Sequence, residues 1–205
     1  MITGEIKNKI DNIWQKLWAA GMANPLTCIE QLSYLMFIRS LDDIEIETEQ
    51  KENMMGIKGN HIFDESQQKL RWSKFKNLGP DEIFSLMKDE KNGIFAFIKN
   101  MHGNNESAFA KFMKDATFQI PAPQVLVNVI TGLDELYEND IQDQDMLGDI
   151  YEYMLDKLSA SGQNGQFRTP AQIRNLMVNL IQPTPDDCIC DPACGTAGFL
   201  ISAAN

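Results

Sequence analysis

The sequence predicts a mainly α protein, with an N-terminal helical bundle over residues 1–140 and the truncated start of a Rossmann-like α/β domain over residues 141–205. Apolar residues recur at three- and four-residue spacing along most of the first part, as they do on the buried face of a helix. Residues 188–190 have the pattern of a short strand, and a glycine-bearing turn follows them directly. A strand, a tight glycine turn and a helix start form the first unit of a doubly wound fold.

The first two helices are predicted from their apolar faces. The stripe of the N-terminal helix consists of Ile6, Ile10, Ile13 and Leu17, flanked by Trp14 and Trp18. Gly21 ends this helix, and Pro25 opens a second one that runs to about residue 43. Because the middle of the second helix is apolar nearly all round, we expect it at the centre of the bundle. The acidic run over residues 42–52, with glycines after it, predicts a solvated loop.

The remaining elements follow in order along the chain. Helices are predicted near residues 81–88, 94–100, 106–114, 123–137 and 144–160. Residues 159–166 are small, polar and glycine-bearing, which predicts a flexible turn. Thr169 is expected as the N-cap of a further helix, with Pro170 at its first position. A proline-rich turn over residues 183–187 then leads into the short strand. Because this strand lacks its neighbouring strands, we expect the last twenty residues to be irregular or paired in a non-native way.

The net charge of −11 argues against broad electrostatic attachment to nucleic acid. One local basic stretch interleaves cations with aromatic residues, and its candidate DNA contacts are Lys69, Arg71, Lys74 and Lys76. The alternative, which we favour, is an amphipathic segment that buries Trp72, Phe75 and Leu78. The apolar runs are too short to cross a bilayer and no signal peptide is visible, so we expect a soluble cytoplasmic protein.

The cysteines and histidines do not predict a metal site. Cys188, Cys190 and Cys194 lack the paired spacing of a zinc knuckle, and both histidines lie far upstream. We expect Cys188 and Cys190 to be buried thiols on one face of the short strand. The two histidines, at 61 and 102, lie in polar loop contexts with no partner visible in the sequence.

The turn after the short strand suits a ligand that carries an ammonium and a carboxylate group. Gly195 and Gly198 allow positive φ and a close approach of the backbone. A helix that begins near Thr196 would direct unpaired N–H groups at a carboxylate. Asp191, held extended by Pro192, would pair with the ammonium group. A nicotinamide-binding Rossmann enzyme is disfavoured, because the third glycine and the downstream acidic residue are missing.

Three strings in this region resemble a known family. Residues 191–200, Asp-Pro-Ala-Cys-Gly-Thr-Ala-Gly-Phe-Leu, resemble the first cofactor motif of the modification (methylase) subunit of type I restriction–modification systems. Residues 165–170, Gly-Gln-Phe-Arg-Thr-Pro, are similar to the family's upstream Gly-x-Phe/Tyr-x-Thr-Pro loop, which forms the other wall of the pocket. Residues 146–153 match the segment that leads into this loop.

The resemblance implies an adenine-specific DNA methyltransferase that moves a methyl group from S-adenosyl-L-methionine to a flipped base. Its implied partners are the specificity and restriction subunits of the complex, double-stranded DNA reached through that complex, and a second copy of the subunit. The implied cofactor-binding positions are Gln166, Phe167, Arg168, Thr169, Pro170, Ala171, Asp191, Gly195, Thr196, Ala197 and Gly198. The family usually has an aromatic residue where this chain has Arg168.

The family's catalytic motif, Asn-Pro-Pro-Phe/Tyr, is missing from these 205 residues. The most similar string, Asn24-Pro25-Leu26, is a predicted helix start. We therefore expect an N-terminal portion of a longer protein that has no catalytic residue of its own and is inactive alone. The alternative is a non-catalytic helical module that binds the specificity subunit or associates with itself.

Overall fold

The computed structural model describes residues 2–56, 58–101, 113, 116–141, 144–160, 169–195 and 197–204. These residues form helices and irregular segments, with no strand among them. The α-helices are α1 (Gly4–Ala19), α2 (Pro25–Met55), α3 (Trp72–Phe75), α4 (Pro80–Lys88), α5 (Ile94–Asn100), α6 (Pro123–Asn139), α7 (Gln144–Ala160), α8 (Ala171–Ile181) and α9 (Gly198–Ala204). A 3-10 turn, Gln68–Leu70, precedes α3. The chain divides into two compact units, Met1–Ser161 and Gly162–Asn205.

Helices α1 and α2 begin at side-chain caps. The Thr3 hydroxyl accepts a hydrogen bond from the Ile6 N–H at 3.4 Å, and Asn24 Oδ1 accepts one from the Leu26 N–H at 3.0 Å. Between them the chain turns at Gly21, whose φ of +91° favours glycine. The predicted stripe of α1 is confirmed, since its four aliphatic residues are all buried.

The predicted end of α2 near residue 43 is wrong. The helix continues through the acidic run to Met55 and ends at Gly56, which caps it with φ of +66°. Asp42 and Glu45 are buried instead of solvated, because later segments of the chain supply partners for their carboxylates. The run is therefore part of a long helix, and its buried carboxylates, Asp42 and Glu45, lie on one face of that helix.

The other predicted helices of the first unit agree with the structure within about two residues, except that residues 106–114 lie almost wholly outside the described part. Trp72 and Phe75 are fully buried in the core, and their rings meet edge to face with centroids 5.4 Å apart. Helix α7 packs on this bundle, since the Tyr153 hydroxyl donates to Asp11 at 2.9 Å. The domain boundary at residues 140/141 remains a prediction. The first compact unit of the structure extends beyond it and includes α7. No helix in the described ranges is long and apolar enough to cross a membrane.

The second unit contains α8 and α9. Helix α8 begins one residue later than predicted, with Pro170 as the N-cap, and the Pro170 carbonyl accepts from the N–H groups of Ile173 and Arg174. It ends at Gln182, which has a left-handed φ of +52°. None of the α8 side chains is buried.

Residues 188–190 have the pattern of a strand but are irregular in the structure, as expected for a strand without neighbours, whereas Gly198–Ala204 forms a helix. Residues 188–190 make no ladder, because the described residues include no neighbouring strand to accept or donate its hydrogen bonds. The buried state expected for Cys188 and Cys190 is therefore wrong, and both are exposed, as is Cys194. The buried thiol is Cys28, whose pKa is raised to about 11 by burial. The Rossmann-like start remains a prediction.

Candidate cofactor-binding turn

The turn between α8 and α9 is organised around Asp191. Its Oδ1 atom accepts a hydrogen bond from the Ala193 N–H at 3.0 Å, which closes a local turn across Pro192. Further along, the Ala197 N–H donates to the Cys194 carbonyl at 2.7 Å, and the Ile201 N–H donates to the Ala197 carbonyl at 2.9 Å. These bonds lead the backbone from the acidic residue directly into α9.

Two residues of the turn adopt left-handed backbone conformations. Gly195 has φ of +52°, as its residue type predicts. The second is Ala197, with φ of +61°, which the sequence did not indicate. Gly198 does not have positive φ, so that part of the prediction is wrong. The absence of a side chain at Gly198 matters for a steric reason instead.

Arg174 occupies the space that a side chain at Gly198 would need. A Cβ atom built on Gly198 would lie 3.0 Å from Arg174 Nε and 3.1 Å from its Cδ. The same arginine donates from Nη1 to the Thr169 carbonyl at 2.5 Å. Arg174 therefore touches both the Thr169 segment and the turn, a role that sequence reasoning missed. The one available signal was its position one turn into the helix that follows Thr169.

The described cofactor candidates all lie in the second unit. Thr169, Pro170 and Ala171 form the entry to α8, and Asp191, Gly195, Ala197 and Gly198 lie in the turn and at the start of α9. Gln166, Phe167, Arg168 and Thr196 lie outside the described residues. The described members thus belong to two segments that Arg174 links.

The basic stretch belongs to the first unit, and its four cations differ in their surroundings. Arg71 is only 4% exposed and binds Asp42 and Glu49, so it presents no cation to DNA in this fold. Lys76 is paired with Asp134 and Glu138. Lys69 and Lys74 are exposed.

The favoured amphipathic alternative for this stretch is confirmed for its two aromatic residues. Trp72 and Phe75 are both fully buried. It is wrong for Leu78, which is 44% exposed.

Family models match both parts of the chain. The model of the HsdM N-terminal domain matches residues 6–133, which is more than half of the sequence. The chain belongs to the family of type I restriction–modification methylase subunits. The model described as N-6 DNA methylase matches residues 142–205, the stretch that holds every cofactor candidate.

Individual members of this family are similar to the chain over most of its length. It is 30% identical to the type I restriction enzyme EcoEI methylase subunit of Escherichia coli, over 90% of this chain and 37% of the relative. It is 35% identical to the StySPI methylase subunit of Salmonella potsdam, over 65% of this chain and 25% of the relative. The chain therefore spans well under half of the length of these methylase subunits.

One solved structure shares the fold of the chain. A modification subunit of a type I restriction enzyme from Vibrio vulnificus YJ016 superposes with a TM-score of 0.74 at 24% sequence identity. The match covers 97% of this chain and 44% of the Vibrio chain.

The turn fits the amino-acid end of S-adenosyl-L-methionine, the methyl donor that the family resemblance implies. Asp191 has a carboxylate that would pair with an ammonium group, and the hydrogen bond that it accepts from the Ala193 N–H fixes the direction of that side chain. Among the residues that the structure describes, none outside the immediate neighbours of Gly195 has an atom within 4 Å of the position of a Cβ built on Gly195, which leaves room for a ligand to approach the backbone.

The structure also reveals an acid–histidine cluster that sequence reasoning missed. His61 Nδ1 lies 2.8 Å from Glu45 Oε1, and its Nε2 lies 3.1 Å from Glu52 Oε2. The hydrogen bond to Glu45 raises the pKa of His61 against the opposing effect of burial, and Glu52 adds to the rise. Glu45, Glu49 and Glu52 recur at helical spacing, which was the signal that the acidic run is helical and that these three carboxylates share one face of α2.

Proposed function

We propose that this chain is the N-terminal part of a DNA methyltransferase subunit that transfers a methyl group from S-adenosyl-L-methionine to adenine in double-stranded DNA. The complete subunit acts in the cytoplasm with a specificity subunit and a restriction subunit, and with a second copy of itself. The catalytic Asn-Pro-Pro-Phe/Tyr motif is not in these 205 residues, so this segment alone transfers no methyl group.

The observation that carries the proposal is the turn from Asp191 to Gly198, which lies inside the stretch matched by the N-6 DNA methylase model. Asp191 pairs with the ammonium group of the donor, and the backbone around Gly195 receives its carboxylate. Thr169, Pro170 and Ala171 form the opposite wall. The remaining cofactor positions are Gln166, Phe167, Arg168, Thr196, Ala197 and Gly198.

The helical unit contributes little direct affinity for DNA in this proposal. Of the four basic candidates, Lys69 and Lys74 are the two that are exposed, so they are the ones that can reach a phosphate. The net charge of −11 makes strong attachment by this segment alone unfavourable. Sequence recognition and most of the DNA affinity therefore come from the specificity subunit.

The cofactor role is tested by titrating S-adenosyl-L-methionine into the purified chain by calorimetry, with Asp191→Asn as the critical variant. Asparagine keeps an oxygen that can accept the Ala193 N–H, so the turn is preserved and only the charge is lost. Loss of a charge-assisted hydrogen bond should weaken binding by about tenfold to a hundredfold. Asp186→Asn, which neutralises an exposed aspartate in the preceding loop, is the matched control and should bind like the parent.

Two outcomes would contradict the proposal. Equal affinity in Asp191→Asn and the parent would remove Asp191 from the site. No heat at millimolar S-adenosyl-L-methionine, with the chain folded by circular dichroism, would refute cofactor binding by this segment and favour the interaction-module alternative.

A further inference from the structure

We infer that Arg174 is a positioning residue for the cofactor site, setting the distance between the Thr169 segment and the turn at Gly198. This inference rests on the proposed function, because it concerns the two segments assigned there as walls of one pocket. Arg174 itself is not one of the cofactor-contact residues.

The geometry places one side chain against both walls. Arg174 Nη1 donates to the Thr169 carbonyl at 2.5 Å, which fixes the end of the guanidinium group on the first wall. Its Nε, Cδ and Cζ atoms lie 3.0 to 3.2 Å from the Cβ position of Gly198, so the middle of the side chain covers the first residue of α9. Thr169 and Gly198 are far apart in sequence, and this contact brings them into one local structure.

The chemistry of arginine suits this bridging position. A guanidinium group is planar and always protonated, so it donates along a fixed direction while its flat face packs against backbone. A hydrogen bond from a charged donor to a carbonyl is stronger than a neutral one. Glycine at 198 completes the arrangement, because any Cβ there would displace the arginine by a few tenths of an ångström.

A purely local role for Arg174 is the competing explanation. An arginine in the first turn of α8 could simply bond the carbonyl that precedes the helix, with no effect on the turn. The two explanations differ at Gly198. A local role makes substitutions at 174 and 198 independent, whereas a bridging role makes them coupled.

The test is a double-mutant cycle on the 205-residue chain, with the affinity for S-adenosyl-L-methionine measured by calorimetry. Arg174→Ala should weaken binding about tenfold, because the two walls lose their fixed spacing. Gly198→Ala should also weaken binding about tenfold, because its new methyl group pushes on Arg174. In the Arg174→Ala background, Gly198→Ala should weaken binding clearly less than in the parent, because only the direct effect of the new methyl group on the ligand remains.

Two further variants separate positioning from a general loss of structure. Asn175→Ala removes an exposed side chain from the next position of α8 and should leave the affinity unchanged. Arg174→Lys keeps the charge but not the planar group, and should recover only part of the loss. Amide hydrogen exchange supplies a readout without cofactor, since the Ile201 N–H, bonded to the Ala197 carbonyl, should exchange faster in Arg174→Ala than in Asn175→Ala.

The possible outcomes distinguish failure of the positioning role of Arg174 from failure of the proposed cofactor binding. A parent chain that binds donor, with Arg174→Ala binding as tightly as Asn175→Ala, overturns the positioning role and leaves the proposed function intact. Additive effects at 174 and 198 overturn it as well. A parent chain that binds no donor refutes the proposed function, and the positioning role falls with it.

Discussion

Replacing Arg71 by methionine should destabilise the helical unit severely, because it leaves a buried carboxylate without its counter-charge. Asp42 is fully buried, and its Oδ1 atom lies 2.6 Å from Arg71 Nε. Arg71 also makes a two-point contact with Glu49, at 2.5 and 3.1 Å. After the substitution, Asp42 keeps its hydrogen bonds from Ser73, among them the one from the Ser73 N–H at 2.6 Å.

The expected loss of stability depends on whether one partner of the buried Asp42–Arg71 ion pair is removed or both are replaced by neutral residues. Removing one partner of such a pair costs about 3–5 kcal/mol, because the remaining charge is uncompensated. Adding Asp42→Asn removes that charge, while the asparagine oxygen can still accept the Ser73 N–H. The double variant should therefore be more stable than Arg71→Met alone by about 2 kcal/mol. Glu49→Gln should cost only about 0–1 kcal/mol, since that side chain is 41% exposed.

The free energy of unfolding is measured by urea titration at neutral pH, followed by tryptophan fluorescence and circular dichroism. The measurement is made at neutral pH because Asp42 must be ionised for its ion pair with Arg71 to contribute. Burial alone would raise the pKa of Asp42, but the hydrogen bonds from Ser73 and Arg71 outweigh burial and lower it below its ordinary value of 3.8. The stabilisation is thus present above that value and is lost as the pH falls through the lower pKa of the folded state. A loss under about 1 kcal/mol in Arg71→Met, or a double variant less stable than the single one, would refute this reasoning.

Two further predictions concern helix packing and pH dependence. Gly132→Ala should destabilise the chain by about 1–3 kcal/mol in urea unfolding, because its Cβ would lie 2.7 Å from Ile13 Cγ1 between α6 and α1. Gly148→Ala is the matched control; with no contact within 4 Å it should stabilise the chain by about 0.5–1 kcal/mol, and equal effects at the two glycines would contradict the packing argument. The pKa of His61, measured by NMR, should lie above 6.5. Protonated His61 stabilises the fold fully below pH 6.5, and this stabilisation should be lost as the pH rises through the raised pKa. Glu45→Gln should lower the pKa of His61, and a parent value at or below 6.5 would exclude the cluster.

Local patterns predicted most of the helices correctly. The stripe of α1 and the proline that opens α2 each act within a few residues, so the sequence carries their signal. The acidic run was misassigned for the opposite reason. Its carboxylates are satisfied by Arg71 and by His61, which follow much later in the chain, and no window over the run contains these partners.

The candidate site also has some features that the sequence could predict and others that it could not. Asp191 and Gly195 could be assigned from the sequence, since an acidic residue and a left-handed glycine are properties of the residues themselves. The left-handed conformation of Ala197 and the contact of Arg174 with Gly198 could not be assigned, because each depends on where a second segment lies. The strand pattern at 188–190 forms no strand for the same reason, since a strand requires a neighbour and a helix does not.

The sequence by itself determined the mainly helical class, the family and the residue types of the turn. Helices close their hydrogen bonds within a few residues, and motifs are local by definition, so both can be recognised without a fold. The tertiary structure alone decided which charges are buried, which of the basic residues are exposed, and that Arg174 contacts both the Thr169 carbonyl and Gly198. Those outcomes depend on the free energy of bringing distant residues together, which no short stretch of sequence specifies.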